Sequence, residues 1–238
     1  VGVTRQGEET RYAVAAPVRH YCADRRTAEV DRQCRDAHLA HVVALTARAD
    51  DLLRGPAQGR WLVALDHEQP HVEQAIAHAA AVGAATAGLA VAVDAVWHAT
   101  LRGQHREAER RLRAALAIPR PGNGGDPETD VLALAARTWS AALAGMAGLP
   151  TPTDDLELAG DPPAGTPGRA ALALMRARGL LAVVLPEGGA EVNERCLAAA
   201  RAHDYRWGEA AALSTRAWDA LFAGELDAVV ADAESSRR

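Results

Sequence analysis

One seven-residue phrase occurs three times in this chain, as Trp97-His-Ala-Thr-Leu101-Arg-Gly103, Trp139-Ser-Ala-Ala-Leu143-Ala-Gly145 and Trp218-Asp-Ala-Leu-Phe222-Ala-Gly224. In each copy the indole and the large apolar residue four positions on share one helix face, a ridge that needs a neighbouring helix to cover it. The closing Gly suits the left-handed turn that ends a helix without a Cβ penalty. Successive copies start 42 and 79 residues apart, one and two units of about 40 residues, the period of helical-hairpin arrays. A degenerate copy is expected between the last two, and Arg178-Gly-Leu-Leu-Ala-Val-Val-Leu185-Pro186 stands there without its Trp. The phrase therefore predicts an all-α solenoid of helical hairpins. Its repeated core would be Trp97, Leu101, Gly103, Trp139, Leu143, Gly145, Trp218, Phe222 and Gly224, with the indoles as wedges between helices.

Composition agrees. Ala makes up roughly a quarter of the 238 residues and is the best helix former. Only 4% of the chain is aromatic, so Trp carries the large contacts of a small-residue interior. Every basic residue is Arg. Without Lys the chain has no phosphate-binding G-x-x-x-x-G-K-[ST] loop and no Schiff-base lysine. A net charge of -5 argues against a general nucleic-acid surface. The densest Arg cluster, Arg106, Arg110, Arg111 and Arg113, alternates with Glu107 and Glu109 and is read as a solvated helix face. Cys22, Cys34 and Cys196 are odd in number and lack C-x-x-C spacing, which fits a reducing, cytoplasmic setting. No apolar stretch is long enough to span a bilayer. Val1 is not a start Met, and the chain is read as a piece of a longer protein.

Along the chain, residues 1–14 form two β-like runs about Gly7, and a helix from Pro17 follows, so that 1–27 is one segment. Residues 28–83 form a helical junction: one long helix to about Leu53, ended by Gly55-Pro56, then helices over Gln58 to Asp66 and Pro70 to Ala81. Residues 84–238 carry the repeats, interrupted by a proline-rich loop at 150–168 in place of a regular second helix.

Three constellations invite chemistry. His67-Glu68-Gln-Pro70-His71 is a literal H-E-x-x-H, which binds zinc when one helix carries both His. Pro70 inside it predicts a break that puts the two His on different helices. Cys34, His38 and His41 share a helix face, but one face rarely wraps a metal, and a polar rim is the commoner reading. Paired acids such as Asp154-Asp155 fall in the proline-rich loop, and no nucleophile stands beside a base. The residues predict no catalytic group, metal or cofactor.

Two segments carry a family resemblance. Arg11, Tyr12, Val18, Arg19 and Tyr21, followed by Arg54, Gly55, Pro56, Gln58, Trp61, Leu62, Leu65 and Glu68, resemble the passage from a winged-helix module into the tetratricopeptide-like (TPR-like) region of actinobacterial signal-transducing-ATPase transcriptional regulators. That group includes the AfsR-type antibiotic regulatory proteins and LuxR-type relatives. Ala15-Ala16-Pro17 and His71 depart from the pattern. The resemblance implies a parent with DNA-binding and ATPase parts outside this chain, and makes residues 1–27 the end of a winged-helix module.

The expected function is a non-enzymatic sensor or protein-interaction domain that holds a protein, a peptide or a small effector in the groove of the array. Such a domain would make no direct contact with nucleic acid or membrane. Arg137 and Arg216, each two residues before a repeated Trp, are candidate binding groups, although ordinary surface Arg is the commoner case. The alternatives are a stand-alone scaffold of the same fold and, remotely, a zinc metallopeptidase using His67, Glu68 and His71.

Overall fold

The computed structural model describes residues 2–6, 9–120, 126–151, 166, 168–185 and 187–237, with the side chains of 2–13, 19 and 23 left aside. The fold is all-α apart from one antiparallel strand pair at the start. In chain order the elements are β1 (Gly2–Gln6), β2 (Glu9–Ala13), α1 (Ala16–Arg25), α2 (Ala28–Leu52), α3 (Gln58–Val82) and α4 (Ala85–Leu101). They continue with α5 (His105–Leu116), α6 (Pro127–Met146), α7 (Gly168–Val184), α8 (Gly189–Ala202), α9 (Arg206–Ala223) and α10 (Leu226–Ser236).

The chain divides into two compact units, Val1–His38 and Leu39–Arg238. In the first, β1 and β2 pair in the register Val3↔Tyr12 and Arg5↔Thr10. Gly7, the expected turn, lies outside the described residues. Tyr21 of α1 is exposed beneath the Arg25 guanidinium, 3.9 Å above its ring.

In the second unit, the main backbone contacts between helices join elements adjacent or next but one in the chain, such as α3 with α4 and α5, α4 with α6, and α7 with α9. At the centre is α4, in which every residue from Gly88 to Val96 is buried. A helix apolar on all sides must be covered on all sides, and α3, α5 and α6 do so. Asp94 in that run is ion-paired with Arg169 of α7.

One turn recurs between helices. Gly83, Gly103, Gly148 and Gly224 take φ of 72°, 67°, 68° and 80°, and Asp204 substitutes for Gly at 50°. After each, an amide reaches back five residues, as from Gln104 to the Ala99 carbonyl at 2.8 Å and from Glu225 to Ala220 at 2.9 Å. This is the Schellman closure, which satisfies carbonyls orphaned at a helix end.

Four expectations need correction. Pro70 does not break the helix: α3 runs unbroken from Gln58 to Val82. The missing donor and ring clash cost about 3 kcal/mol, but Leu65, Val72, Ala75, Ile76 and Ala79 bury one stripe on both sides of Pro70. Gly145 does not end its helix either; it lies within α6, and the turn is made by Gly148. A Cβ at Gly145 would sit 2.7 Å from Val184 Cγ2, so this Gly lets α6 and α7 approach. Third, Trp218 and Phe222 are not core: they are 60% and 84% exposed, and Leu101 is exposed as well. Last, Arg111 is not on a solvated face but buried, tied to Glu73 of α3. The proline-rich residues 152–165 and Asp154-Asp155 lie outside the described residues.

Candidate aromatic cavity

The α2–α3 corner places the first functional side chain. Gly55-Pro56 ends α2, and Gln58 Nε2 donates to the Leu53 carbonyl at 2.7 Å, meeting an acceptor the helix end leaves open. Trp61 and Leu62 pack on Ala49, Leu53 and Leu65 and clamp the turn. Arg54 is thereby fixed with its guanidinium carbon 5.0 Å from the Trp97 ring and 5.1 Å from Trp207. The guanidinium thus lies beside an edge-on pair of indoles, within cation–π range of both. The second cation, Arg176 of α7, donates from Nε to the Tyr205 hydroxyl at 2.9 Å and from Nη2 to Asp51 at 2.8 Å. Asp50 accepts from both Arg54 and Arg176.

These groups form one end of a cavity of about 220 Å³. The rest of its wall is mostly apolar and aromatic, with Trp97, Trp139, Trp207, Leu180, Val183 and Met175 among its residues. Trp97 meets Trp139 at 6.5 Å between ring centroids and Trp207 edge-on at 5.5 Å. Two repeated indoles thus serve both as core and as cavity wall, whereas the sequence reading made them wedges alone. Gly208 is a wall residue because the Tyr205 ring lies over it, 2.3 Å from where a Cβ would be. At Gly179 a Cβ would meet nothing within 4 Å, so the cavity opens there.

Burial sets the electrostatics. It holds the Arg54 guanidinium below its ordinary pKa, partly offset by Asp50. For Arg176 burial acts the same way, but Asp50 and Tyr205 outweigh it and the pKa is raised. Both stay charged at neutral pH. Burial also pushes the Cys196 thiol up to about 11, so this wall residue is a neutral surface, not a nucleophile. Thr215 donates its hydroxyl to the Ala211 carbonyl at 3.1 Å. The wall can take up an apolar body and hold a polar group; its hydroxyl and thiol are not poised to attack one.

The residues expected to bind are elsewhere. Arg216 is committed to Asp232, with two bonds at 2.7 Å, and to Glu194 at 3.0 Å, clamping α9 to α10 and α8. Arg137 lies half-buried on α6 and is not part of the cavity wall. Continuity of α3 puts His67, Glu68 and His71 on one helix, with His71 Nε2 3.9 Å from Glu68. Cys34, His38 and His41 all lie on α2. Among the described residues no three His, Cys, Asp or Glu side chains are gathered for a metal.

Sequence reasoning missed Arg176, Tyr205 and Trp207. Arg54 alone carried a signal, as part of the Arg-Gly-Pro corner. It also missed His98, inside the first phrase, which is fully buried with Nε2 2.9 Å from Asp66. Burial lowers the His98 pKa against the opposing pull of Asp66. Burial raises that of Asp66, but hydrogen bonds from Arg102 and His98 outweigh it and the carboxyl is held below its ordinary value.

Comparison of the chain with protein-family models, with curated proteins and with solved structures gives no match.

Proposed function

We propose that this chain is a non-enzymatic sensor domain, a TPR-like array of helical hairpins that binds a small effector and acts as the regulatory arm of a bacterial transcriptional regulator of the signal-transducing-ATPase class. The observation that carries the reading is the aromatic cavity with two buried guanidiniums at one end. A concave, mainly apolar site with a few convergent polar groups is the usual form of a small-molecule site. The array is supported by packing between helices adjacent or next but one in the chain and by the recurring left-handed turn. The regulator reading is supported by the junction residues: Arg54, Gly55, Pro56, Gln58 and Trp61 carry the resemblance and also build the corner that delivers Arg54 to the cavity.

Thermal unfolding against a panel of metabolites tests the effector reading. At least one compound should raise the midpoint of the wild type and leave Gly179→Leu, whose new side chain fills the cavity, unmoved; a panel that shifts neither removes the reading. The coding sequence on either side of the chain tests the regulator: a P-loop and a DNA-binding domain in the same protein are expected.

A second reading, a scaffold that binds another protein, is favoured by one feature. Trp218, Leu221, Phe222, Leu226 and Val230 of α9 and α10 are all exposed, the kind of contiguous apolar surface that marks protein contacts.

A further inference from the structure

At the polar end of the cavity two buried guanidiniums share one buried carboxylate. The side chains of Arg54 and Arg176 are 3% and 8% exposed, and the carboxylate buried with them is Asp50, at 6%. Asp51, the other acidic partner of Arg176, is 66% exposed, where water screens most of its attraction. Arg169, the next cation near this corner, is matched by Asp94. A buried ion pair is tolerated when its charges balance and its donors are met. Here the one buried carboxylate is shared: Arg176 has Asp51 as a second partner, whereas among the described carboxylates Arg54 pairs with Asp50 alone. Donors are in surplus: among the described residues Nε of Arg54 and Nε1 of Trp97 and Trp139 are buried without a hydrogen-bond partner. In this wall the matching unpartnered acceptor is Asn193 Oδ1, whose Nδ2 donates to the Ala212 carbonyl at 2.9 Å.

We propose that the cavity binds a single-ring aromatic carboxylate, its ring among Trp97, Trp139, Leu180 and Val183 and its carboxylate against Arg54, Arg176 and the Tyr205 hydroxyl. The proposal rests on the effector-sensor reading and gives that effector a chemical class. Size fits: a cavity of about 150 Å³ takes benzene, so one of about 220 Å³ suits a body of roughly nine or ten heavy atoms. Charge fits, because a carboxylate gives Arg54 an acceptor it does not share and can take up its unpartnered Nε donor. Shape fits, since the Arg54 guanidinium is already fixed against two indoles and by Asp50 and needs no ordering when the ligand arrives.

Isothermal titration calorimetry on the full chain, with benzoate and its uncharged counterpart benzamide as probes, tests the proposal. The wild type should bind the carboxylate about tenfold or more tighter than the amide, a difference of about 1.4 kcal/mol. Arg176→Gln should bring the two probes to parity. Gly179→Leu, which puts a better helix former into open space, should keep its thermal midpoint and bind neither, so the test stands even if Arg176→Gln fails to fold. Equal affinity for the two probes in the wild type, no binding of either, or binding undiminished in Gly179→Leu each overturns the proposal. The sensor reading fails separately. If a panel compound still shifts the wild type and not Gly179→Leu while benzoate and benzamide do not bind, the cavity is an effector site for another chemistry. If no compound shifts the wild type, both readings fall.

Discussion

Arg54 shows how one side chain serves fold and site at once. Its ion pair with Asp50 lies at the end of α2, and its charge sits 5.0 Å from Trp97 and 5.1 Å from Trp207, on two other helices. Its neighbour Arg176 depends on Tyr205. Tyr205→Phe keeps the ring contact with Trp207 but removes the acceptor for the buried Arg176 Nε, and should cost about 1.5–3 kcal/mol in urea unfolding. Unchanged stability would mean that the hydrogen bond contributes nothing. His98 gives a pH signature with a definite sign. Its pKa is lower in the folded protein than in the unfolded chain, so below about pH 6.5 the unfolded state takes up more protons and stability falls as acid is added. Asp66, also lowered, contributes a further loss below about pH 4. In His98→Gln the decline between about pH 6.5 and 5 should flatten. Urea melts across that range check it, and a variant with the wild-type slope would exclude His98 as the source.

At the scale of the element, two kinds of glycine divide the work that one position was expected to do. Gly148 supplies the left-handed turn after α6, and Gly145 supplies the close contact with α7. Gly145→Ala forces its new methyl against Val184 and should destabilise by about 1–3 kcal/mol. Val184→Ala in the same chain should recover much of that loss. Gly148→Ala should cost about 1–2 kcal/mol from its backbone alone, and Val184→Ala should not rescue it. A double-mutant cycle read by denaturant unfolding distinguishes the two, and rescue at both positions would refute the assignment. The helix α3 teaches the complementary lesson. A local breaker is overridden when an apolar stripe on both sides of it has a partner to bury against.

For the second unit as a whole, stability should be graded along the chain. In α4 twelve of 17 residues are buried, whereas in α10 Asp232 is the single buried residue. Arrays in which each element leans on near neighbours open from their thinly covered parts. Hydrogen exchange should therefore release the amides of α10 well before those of α4 and α6, and uniform protection would contradict this gradient. Saturating the cavity should slow exchange in α7, α8 and α9 together, because its wall draws Leu180, Cys196 and Trp207 from those three helices.

Much of the architecture was legible one residue at a time. The helical class, the hairpin turns at Gly103 and Gly224, and the burial of Trp139 and Leu143 follow from periodicity and backbone preference, which are local properties. The corner at Arg54-Gly55-Pro56 was visible for the same reason. The cavity was not. Arg54, Trp97, Trp139, Arg176, Tyr205 and Trp207 span more than 150 positions of sequence, and nothing in the spacing of any one helix says that they meet. Tertiary packing also decided that Pro70 stays inside a helix, that Trp97 lines a cavity while Trp218 faces water, and that Arg216 spends its charge on Asp232. Sequence by itself determined which helices form and where they turn, because those preferences are paid locally. Which side chains share a buried space, and with what charged partners, is a property of the packed whole.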